Sequence, residues 1–190
     1  IFDSAFTALI QKLPDLNNYE RLIEVSKIMQ LIGPGNGHSR VRSSGGVLTK
    51  QLPFRAYKFK NGFHIIGTSP ELEHLLGAEI LMIEGMTTDS VLKKLGEFIP
   101  ADNDWNRLLR ASLFISLPEI LYGAGISMEP ESINLKIANE GKNSEIEVKA
   151  IPVDDDFEWI DSWEDYHYKY TSDTSWKFIF PKEENAPLHL

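Results

Sequence analysis

The chain has 190 residues, of which 42% are hydrophobic and 25% are charged, and its formal net charge at pH 7 is −9. This composition is typical of a globular protein and argues against a disordered chain. The acidic balance argues against a nucleic-acid partner, because such binding needs lysines and arginines that displace counterions. The chain has no cysteine, and no apolar run approaches the roughly 20 residues that span a bilayer, so neither a thiolate nucleophile nor a transmembrane segment is predicted.

Two helices are predicted at the start of the chain. Asp3 is placed to cap the first helix, which Pro14 ends. Asn17 is placed to cap the second helix, with Glu20 three residues later as its capping-box partner. Residues 1–48 are therefore predicted to form an N-terminal helical region.

The second helix leads into a glycine-rich loop, LIGPGNGHSRVR, at residues 31–42. A phosphate-binding loop runs from a strand into a helix, whose N-terminal amides hold the anion. This loop instead leaves a helix and enters a strand, so it is not predicted to bind a phosphate. Arg40 and Arg42 alternate and could grip a carboxylate, although arginines in a strand are more often surface residues. His38 is either a turn residue or a residue held for chemistry, and spacing alone leaves both interpretations open.

Five short alternating or apolar runs predict the strands of one small, partly closed sheet. Lys60-Asn61-Gly62 separates the first two runs, and Asn-Gly between alternating runs is a strong hairpin signal. The last two runs alternate around residues 139–143, NEGKN, which predicts a second hairpin. Short amphipathic helices are predicted between the second and third runs and after the third. The five predicted strands are residues 52–59, 63–67, 79–83, 132–138 and 144–150.

A predicted helical insertion at residues 99–131 interrupts this strand pattern. Asp102 is placed to cap its first helix, and Pro118 to begin its second. The first helix carries a wide apolar stripe, part of which we expect to cover a groove or to contact another domain. The stripe consists of Trp105, Leu108, Leu109, Leu113 and Phe114.

These elements predict an α+β fold in three parts. Residues 1–48 form the helical region, and residues 49–153 form a small sheet domain that contains the insertion. Residues 154–190 are rich in acidic and aromatic side chains and are predicted to be a linker.

Motifs for catalysis or metal binding are few. Ser90 and Lys93 have the S-x-x-K spacing, which puts a lysine one turn from a serine hydroxyl, but they also fit an ordinary amphipathic helix. The five histidines show no paired metal spacing, so neither a metal nor another cofactor is predicted. No complete set of nucleophile, base and oxyanion donors can be assembled from the residues alone.

The order of the elements resembles that of a PDZ-like domain of bacterial type. In that pattern a leucine-glycine step leads into a strand of the form D-x-I-x-x-I-x-G, and residues 76–85 read LGAEILMIEG, with Ala78 in place of the aspartate. Residues 35–40 read GNGHSR and match a G-x-G-H-[ST]-R motif that follows two helices. Over residues 2–153 the chain resembles the front part of the carboxyl-terminal processing (tail-specific) and tricorn-core-like serine peptidases.

The resemblance implies that this chain is the non-catalytic, substrate-recognition part of a serine-type endopeptidase. Its own catalytic domain would follow residue 190 and would be its main partner, and the chain alone is expected to be inactive. Peptides or unfolded proteins would be the substrates, and the location would be bacterial and extracytoplasmic, either periplasmic or secreted. The alternative is a stand-alone peptide- or protein-binding module with no peptidase activity.

The resemblance also implies roles for individual residues. A histidine at the position of His38 is the general base in the tricorn-like branch. Arg40, Leu52 and Phe54 are the residues implied for substrate binding, the last two in a presumed carboxylate loop at residues 51–54. That loop lacks the usual glycine-rich run of backbone donors, which argues against binding a C-terminal peptide by strand addition.

Overall fold

The computed structural model describes residues 2–32, 41 and 46–153. It begins with a helical hairpin, in which α1 (Phe2–Lys12) and α2 (Asn18–Gln30) are joined by a 3₁₀ turn at Leu13–Asp15. Asp3 lies inside α1, so it is not the N-cap that the sequence predicts. The helix already includes Phe2, and the Asp3 carbonyl accepts a hydrogen bond from the Thr7 hydroxyl (2.8 Å).

The predicted capping box of α2 is confirmed. Asn17 Oδ1 accepts hydrogen bonds from the N–H groups of Tyr19 (2.9 Å) and Glu20 (3.0 Å). The Glu20 carboxylate in turn accepts a hydrogen bond from the Asn17 N–H (2.8 Å). The side chains of Asn17 and Glu20 thus accept hydrogen bonds from backbone N–H groups that have no partner within the helix. These bonds fix where α2 begins.

All five predicted strand runs lie in one antiparallel sheet, as predicted. The strand order is β2-β3-β4-β6-β7, and the short β5 pairs with β4 outside this path. Among the described residues β2 and β7 stand at opposite ends of the order and do not pair, so the sheet is open. Its strands are β2 (Phe54–Phe59), β3 (Gly62–Thr68), β4 (Glu79–Ile83), β5 (Met86–Thr87), β6 (Ser132–Asn139) and β7 (Lys142–Lys149).

Both predicted hairpins form with two-residue loops. Phe59 pairs with Gly62, and Asn139 pairs with Lys142. In the second loop Glu140 and Gly141 have φ angles of 49° and 78°, the left-handed conformation at both positions that a type I′ turn needs. In the first hairpin the loop is Lys60-Asn61, so Gly62 of the predicted turn is already the first residue of β3.

A second, two-stranded sheet joins two distant parts of the chain. β1 (Lys50–Gln51) pairs with β8 (Ile151–Pro152), and the Val153 N–H donates a hydrogen bond to the Thr49 carbonyl (2.8 Å). The chain that leaves the helical region and the chain that leaves the last strand are consequently hydrogen-bonded neighbours.

The core lies against one face of the larger sheet. Ile80 and Ile83 are buried, whereas Leu81 and Met82 between them are half-buried. Ile23 of α2 belongs to the same buried cluster as the sheet residues. The helical hairpin and the sheet thus share a core.

Three helices lie between β5 and β6: α3 (Thr88–Gly96), α4 (Asp104–Phe114) and α5 (Pro118–Gly123). The N-cap of α4 is Asn103 rather than the predicted Asp102, because the Asn103 side chain accepts a hydrogen bond from the Asn106 N–H (2.8 Å).

The predicted short helix before β4 is a 3₁₀ helix at Pro70–Leu75. No helix among the described residues is long and apolar enough to cross a membrane.

Candidate functional site

The outer edge of β2 follows the predicted carboxylate loop and is where strand addition of a peptide would take place. The chain itself occupies the start of this edge. The Ser116 hydroxyl donates a hydrogen bond to the Phe54 carbonyl (2.8 Å), and the Leu52 N–H donates one to the Ser116 carbonyl (2.8 Å). Backbone groups that a peptide would need there already have partners within the protein.

Helix α4 contacts both β2 and α3, and β2 also reaches α3 directly, through the ion pair of Lys58 with Asp89 (2.8 Å). The Phe114 ring of α4 stacks on the Phe98 ring, with centroids 6.3 Å apart. The Arg107 guanidinium donates to the carbonyls of Gly96 (3.0 Å) and Ile99 (3.2 Å) at the end of α3. The insertion therefore fills the space between the edge strand and α3 and is firmly held there.

Leu52 and Phe54 are both 0% exposed and belong to the core. In this conformation neither side chain offers surface to a peptide. The reason is the insertion, which packs over the strand that these residues begin. His38 and Arg40 lie outside the described residues.

The opposite side of α4 carries exposed apolar side chains. Trp105, Leu109 and Leu113 are 77%, 42% and 59% exposed, whereas Leu108 and Phe114 pack against the core. Spaced four residues apart, the three exposed side chains lie on one helix face. The predicted apolar stripe is thus divided between the core and the surface.

A buried carboxylate at the start of α5 organises the junction around β1. Glu119 is 0% exposed, and its Oε1 accepts hydrogen bonds from the Thr49 N–H (2.9 Å) and the Thr49 hydroxyl (3.0 Å). Its Oε2 accepts one from the Lys50 N–H (3.2 Å). Three donors thus compensate the burial of this side chain. Nothing in the sequence marks Glu119, because its partners are 69 and 70 residues away in the chain.

The same junction contains an ion pair at the surface. The Lys50 ammonium group donates a hydrogen bond to the Glu131 carboxylate, and this contact raises the pKa of Lys50. The Glu131 carbonyl accepts a hydrogen bond from the Ala150 N–H (2.7 Å), just before β8. Residues from β1, from α5 and from the segments just before β6 and β8 therefore meet at this junction.

A second polar pair, also missed in the sequence, lies on the sheet. His64 pairs with Glu79 across β3 and β4, and the His64 Nδ1 lies 3.2 Å from the Gly77 carbonyl. The His64 Nε2 is buried and has no hydrogen-bond partner. A Cβ at Gly62 would lie 2.5 Å from Glu79 Oε1 and 2.8 Å from this nitrogen, so the pair packs directly over a glycine.

Neither the Ser90–Lys93 motif nor a cluster of metal-binding side chains forms a catalytic centre in the described ranges 2–32, 41 and 46–153. The Ser90 hydroxyl shares a 2.8 Å hydrogen bond with the hydroxyl of Thr87, the N-cap of α3, and no bond to Lys93 is present. Within the same ranges no group of three or more histidine, aspartate or glutamate side chains could hold a metal ion.

Comparison with known proteins relates the chain to a protease by fold. No model of a protein family matches it, and no curated protein matches it with significance. A solved structure of a serine-to-alanine mutant of CPAF, a serine-protease-like chlamydial protein, matches with a TM-score of 0.57 at 18% identity. That match covers 80% of this chain and 28% of the CPAF chain.

Two further CPAF structures give the same result. Mature CPAF matches with a TM-score of 0.52 at 18% identity over 82% of this chain and 30% of its own. The complex of mature CPAF with lactacystin matches with a TM-score of 0.52 at 18% identity over 80% of this chain and 29% of its own. The chain thus has a distant protease-like fold and spans less than a third of the length of these proteins. The likeness is to CPAF and does not extend to the tail-specific family that the sequence resembles.

Proposed function

We propose that this chain is the non-catalytic, N-terminal part of a serine peptidase, related in architecture to CPAF. The observation that carries the proposal is the fold match, which covers four-fifths of this chain but less than a third of CPAF. The parent protein would hydrolyse peptide bonds, and a bacterial, extracytoplasmic location is part of the proposal.

The role proposed for the chain within that peptidase is recognition of peptide or unfolded-protein substrates. Strand addition at β2 does not fit this role, because Ser116 and α4 already occupy that edge. The exposed face of α4 is the better candidate for contacts with a substrate or with the catalytic domain, since exposed apolar groups mark interaction surfaces. Arg40 remains a proposed contact for a substrate carboxylate.

His38 is the residue proposed to take part in catalysis, as general base. The test is turnover of a peptide substrate by the full-length protein. His38→Ala is expected to lower kcat by roughly 10²–10⁴-fold, the range for a lost general base, with little effect on folding. His74→Ala is a matched control, because His74 is an exposed histidine outside the proposed site. Unchanged turnover in His38→Ala would return His38 to the status of a turn residue.

A stand-alone binding module is the second candidate function. The exposed apolar face of α4 supports it equally well, because it would bind a partner without any catalytic domain. The full reading frame separates the two candidates. A domain with a catalytic serine and lysine after residue 190 favours the peptidase, and a stop codon there favours the binding module.

A further inference from the structure

Among the described residues the strand β7 has a free edge along its whole length. It stands at one end of the strand order, and within residues 2–32, 41 and 46–153 it pairs with β6 alone. Both strands are eight residues long and are paired from one end to the other. The outer edge of β2 is partly occupied by Ser116, so β7 offers the longer open row of backbone N–H and C=O groups. An extended peptide can add a strand to a sheet at such a row.

The pair that closes the β6–β7 hairpin decides which backbone groups of β7 face outward. Asn139 pairs with Lys142 across a two-residue loop, and the pair that closes such a loop exchanges both of its hydrogen bonds. Hydrogen-bonded and non-bonded pairs alternate along an antiparallel ladder, so the inner-edge residues, which bond to β6, are 142, 144, 146 and 148. The outer-edge residues, whose N–H and C=O groups point away from β6, are 143, 145, 147 and 149.

The side chains of β7 form a charged row and an apolar row. Because side chains alternate along a strand, those of the outer-edge residues all lie on one face of the sheet. Glu145 and Glu147 are at the centre of this row, and both are exposed. Ile146 and Val148 lie on the other face, where Val148 is buried and Ile146 packs against the core. The free edge is thus acidic on its exposed face and apolar on its core face.

The centre of the charged row is negative. On β6 the neutral Asn134 lies opposite Glu147, and Lys136 lies opposite Glu145. Lys149 ends the row, and in the described part of the chain neither glutamate forms an ion pair. The formal net charge of the whole chain is −9. A local and an overall field of the same sign both attract basic segments.

A strand that is added to this edge has to match both rows. In an antiparallel addition, like the other strand pairs of this sheet, the residues opposite Glu145 and Glu147 exchange backbone hydrogen bonds with them. Opposite charges at such positions stabilise a strand pair, and like charges destabilise it. The residues between them extend the apolar face beside Ile146. The matching strand therefore has lysine or arginine at every second position and apolar residues between.

A second copy of this chain does not match the edge. When β7 pairs antiparallel with β7 of another molecule in the central registers, glutamates stand opposite glutamates. Like charges directly opposite each other destabilise a strand pair, and two chains of net charge −9 also repel each other. The edge thus favours a basic partner over a copy of itself.

We infer that the free edge of β7 binds extended basic segments of substrate proteins by antiparallel strand addition, with lysine or arginine opposite Glu145 and Glu147. This inference rests on the proposed function, in which the chain recognises peptide or unfolded-protein substrates, and it adds a contact separate from the exposed face of α4. An unfolded segment has free backbone groups to give to the edge, whereas the backbone of a folded protein is already paired. The edge would therefore distinguish unfolded from folded substrates.

The first test measures binding of labelled, end-blocked peptides to the full-length protein by fluorescence anisotropy. The probe alternates lysine and valine over eight residues. A peptide with glutamate in place of lysine should bind at least about tenfold more weakly, because like charges then stand opposite each other. The lysines opposite the glutamates direct their own N–H groups toward β7. N-methylation of the lysines should therefore abolish binding, whereas N-methylation of the valines should preserve it.

The second test changes the edge itself. Glu145→Gln combined with Glu147→Gln removes both charges and should weaken binding of the lysine–valine peptide by about 3- to 10-fold. Glu140→Gln is the matched control, because Glu140 is exposed in the turn of the same hairpin, off the edge, and its loss should change Kd by less than about twofold. Glu147→Pro should weaken binding more than Glu147→Ala, since proline lacks the outward N–H but leaves the bonds to β6 intact.

Amide hydrogen exchange resolved to single residues locates the bound peptide. Exchange at the outer-edge residues should slow when the peptide saturates the protein, whereas the inner-edge residues already bond to β6 and should change little. Absence of binding, as when another segment or a second copy covers the edge, overturns the inference. Binding that survives N-methylation of the lysines, or protection without this alternation, also overturns it. The methylated peptides leave the protein unaltered, so the result does not depend on the folding of Glu147→Pro.

Turnover separates this inference from the proposed function. If the full-length protein cleaves peptides while β7 stays unprotected, the proposed function stands and the inference fails. If the peptide protects the outer-edge residues of a protein that has no peptidase activity, the inference stands and the stand-alone binding module replaces the peptidase.

Discussion

Ile83 shows how far a single residue can be predicted from its pattern. It lies in a strand of apolar residues next to an amphipathic helix, and the structure leaves it 0% exposed. Glu119 is as deeply buried, yet its sequence neighbourhood gives no sign of this. Hydrophobic burial follows from local periodicity, whereas a buried carboxylate depends on donors that only the folded chain brings to it.

Replacement of Ile83 by alanine tests the core at this position. Ile83→Ala should lower the free energy of unfolding by roughly 2–5 kcal/mol, because it leaves a cavity in a closely packed site. Met128→Ala is the control, since Met128 is 89% exposed and its loss should cost less than about 0.5 kcal/mol. Chemical denaturation measures both values. A loss below about 1 kcal/mol for Ile83→Ala would mean that β4 is not part of the core.

At the scale of elements, local sequence signals correctly predicted those helices and turns whose structure depends on neighbouring residues in the chain. The capping box of α2 and the turn of the β6–β7 hairpin are examples, because each depends on residues within four positions of each other. The contact of α4 with both β2 and α3 could not be predicted in this way. It depends on contacts such as Ser116 with Phe54, which are 62 residues apart.

The docking of α2 on α5 depends on the absence of a side chain at Gly123. A Cβ at this position would lie 2.7 Å from the Tyr19 carbonyl carbon and oxygen. Alanine normally stabilises a helix by up to about 1 kcal/mol relative to glycine. Gly123→Ala should instead lower the free energy of unfolding by about 1–3 kcal/mol, because the clash is with backbone that cannot move aside.

Gly96→Ala is the matched control for this prediction. Gly96 also ends a helix, but a Cβ there would meet only the flexible Arg107 side chain, at 3.2 Å. Its effect on the free energy of unfolding should stay within about 0.5 kcal/mol. Equal stability of the Gly123→Ala and wild-type proteins in denaturant would show that α2 does not pack closely on α5.

At the scale of the whole molecule, the membership of the sheet was predictable and the state of its edges was not. Five runs with strong turn signals predicted one sheet, and the structure confirms it. Among the described residues β2 and β7 do not pair, so the strands there do not form a fully closed barrel. Closure depends on strand twist and on the position of the insertion, and neither can be read from alternation of side chains. Leu52 and Phe54 are core residues and His38 lies outside the described ranges, so the roles of these residues in a site stay predictions.

Substitutions of Leu108 and Leu109 on α4 distinguish a role of this helix in folding from a role in contact with another domain. Leu109→Ala should change the free energy of unfolding of this chain by less than about 0.5 kcal/mol, because the side chain is exposed. Leu108→Ala should cost about 1–2 kcal/mol, since that side chain packs on the core. If the exposed face contacts a catalytic domain, Leu109→Ala should still lower the thermal stability of the full-length protein. A large loss of stability in this chain alone would show that the face is needed for folding.

The exposed edge strand β7 bears on how the protein avoids aggregation. Within residues 2–32, 41 and 46–153 its backbone pairs with β6 on one side only, and most of its side chains are exposed. Such an edge is a template on which a strand of another molecule can grow, as in fibril formation. β7 has four charged residues among eight, namely Lys142, Glu145, Glu147 and Lys149. An incoming strand would have to bury those charges, so this edge can stay open at high protein concentration without seeding fibrils.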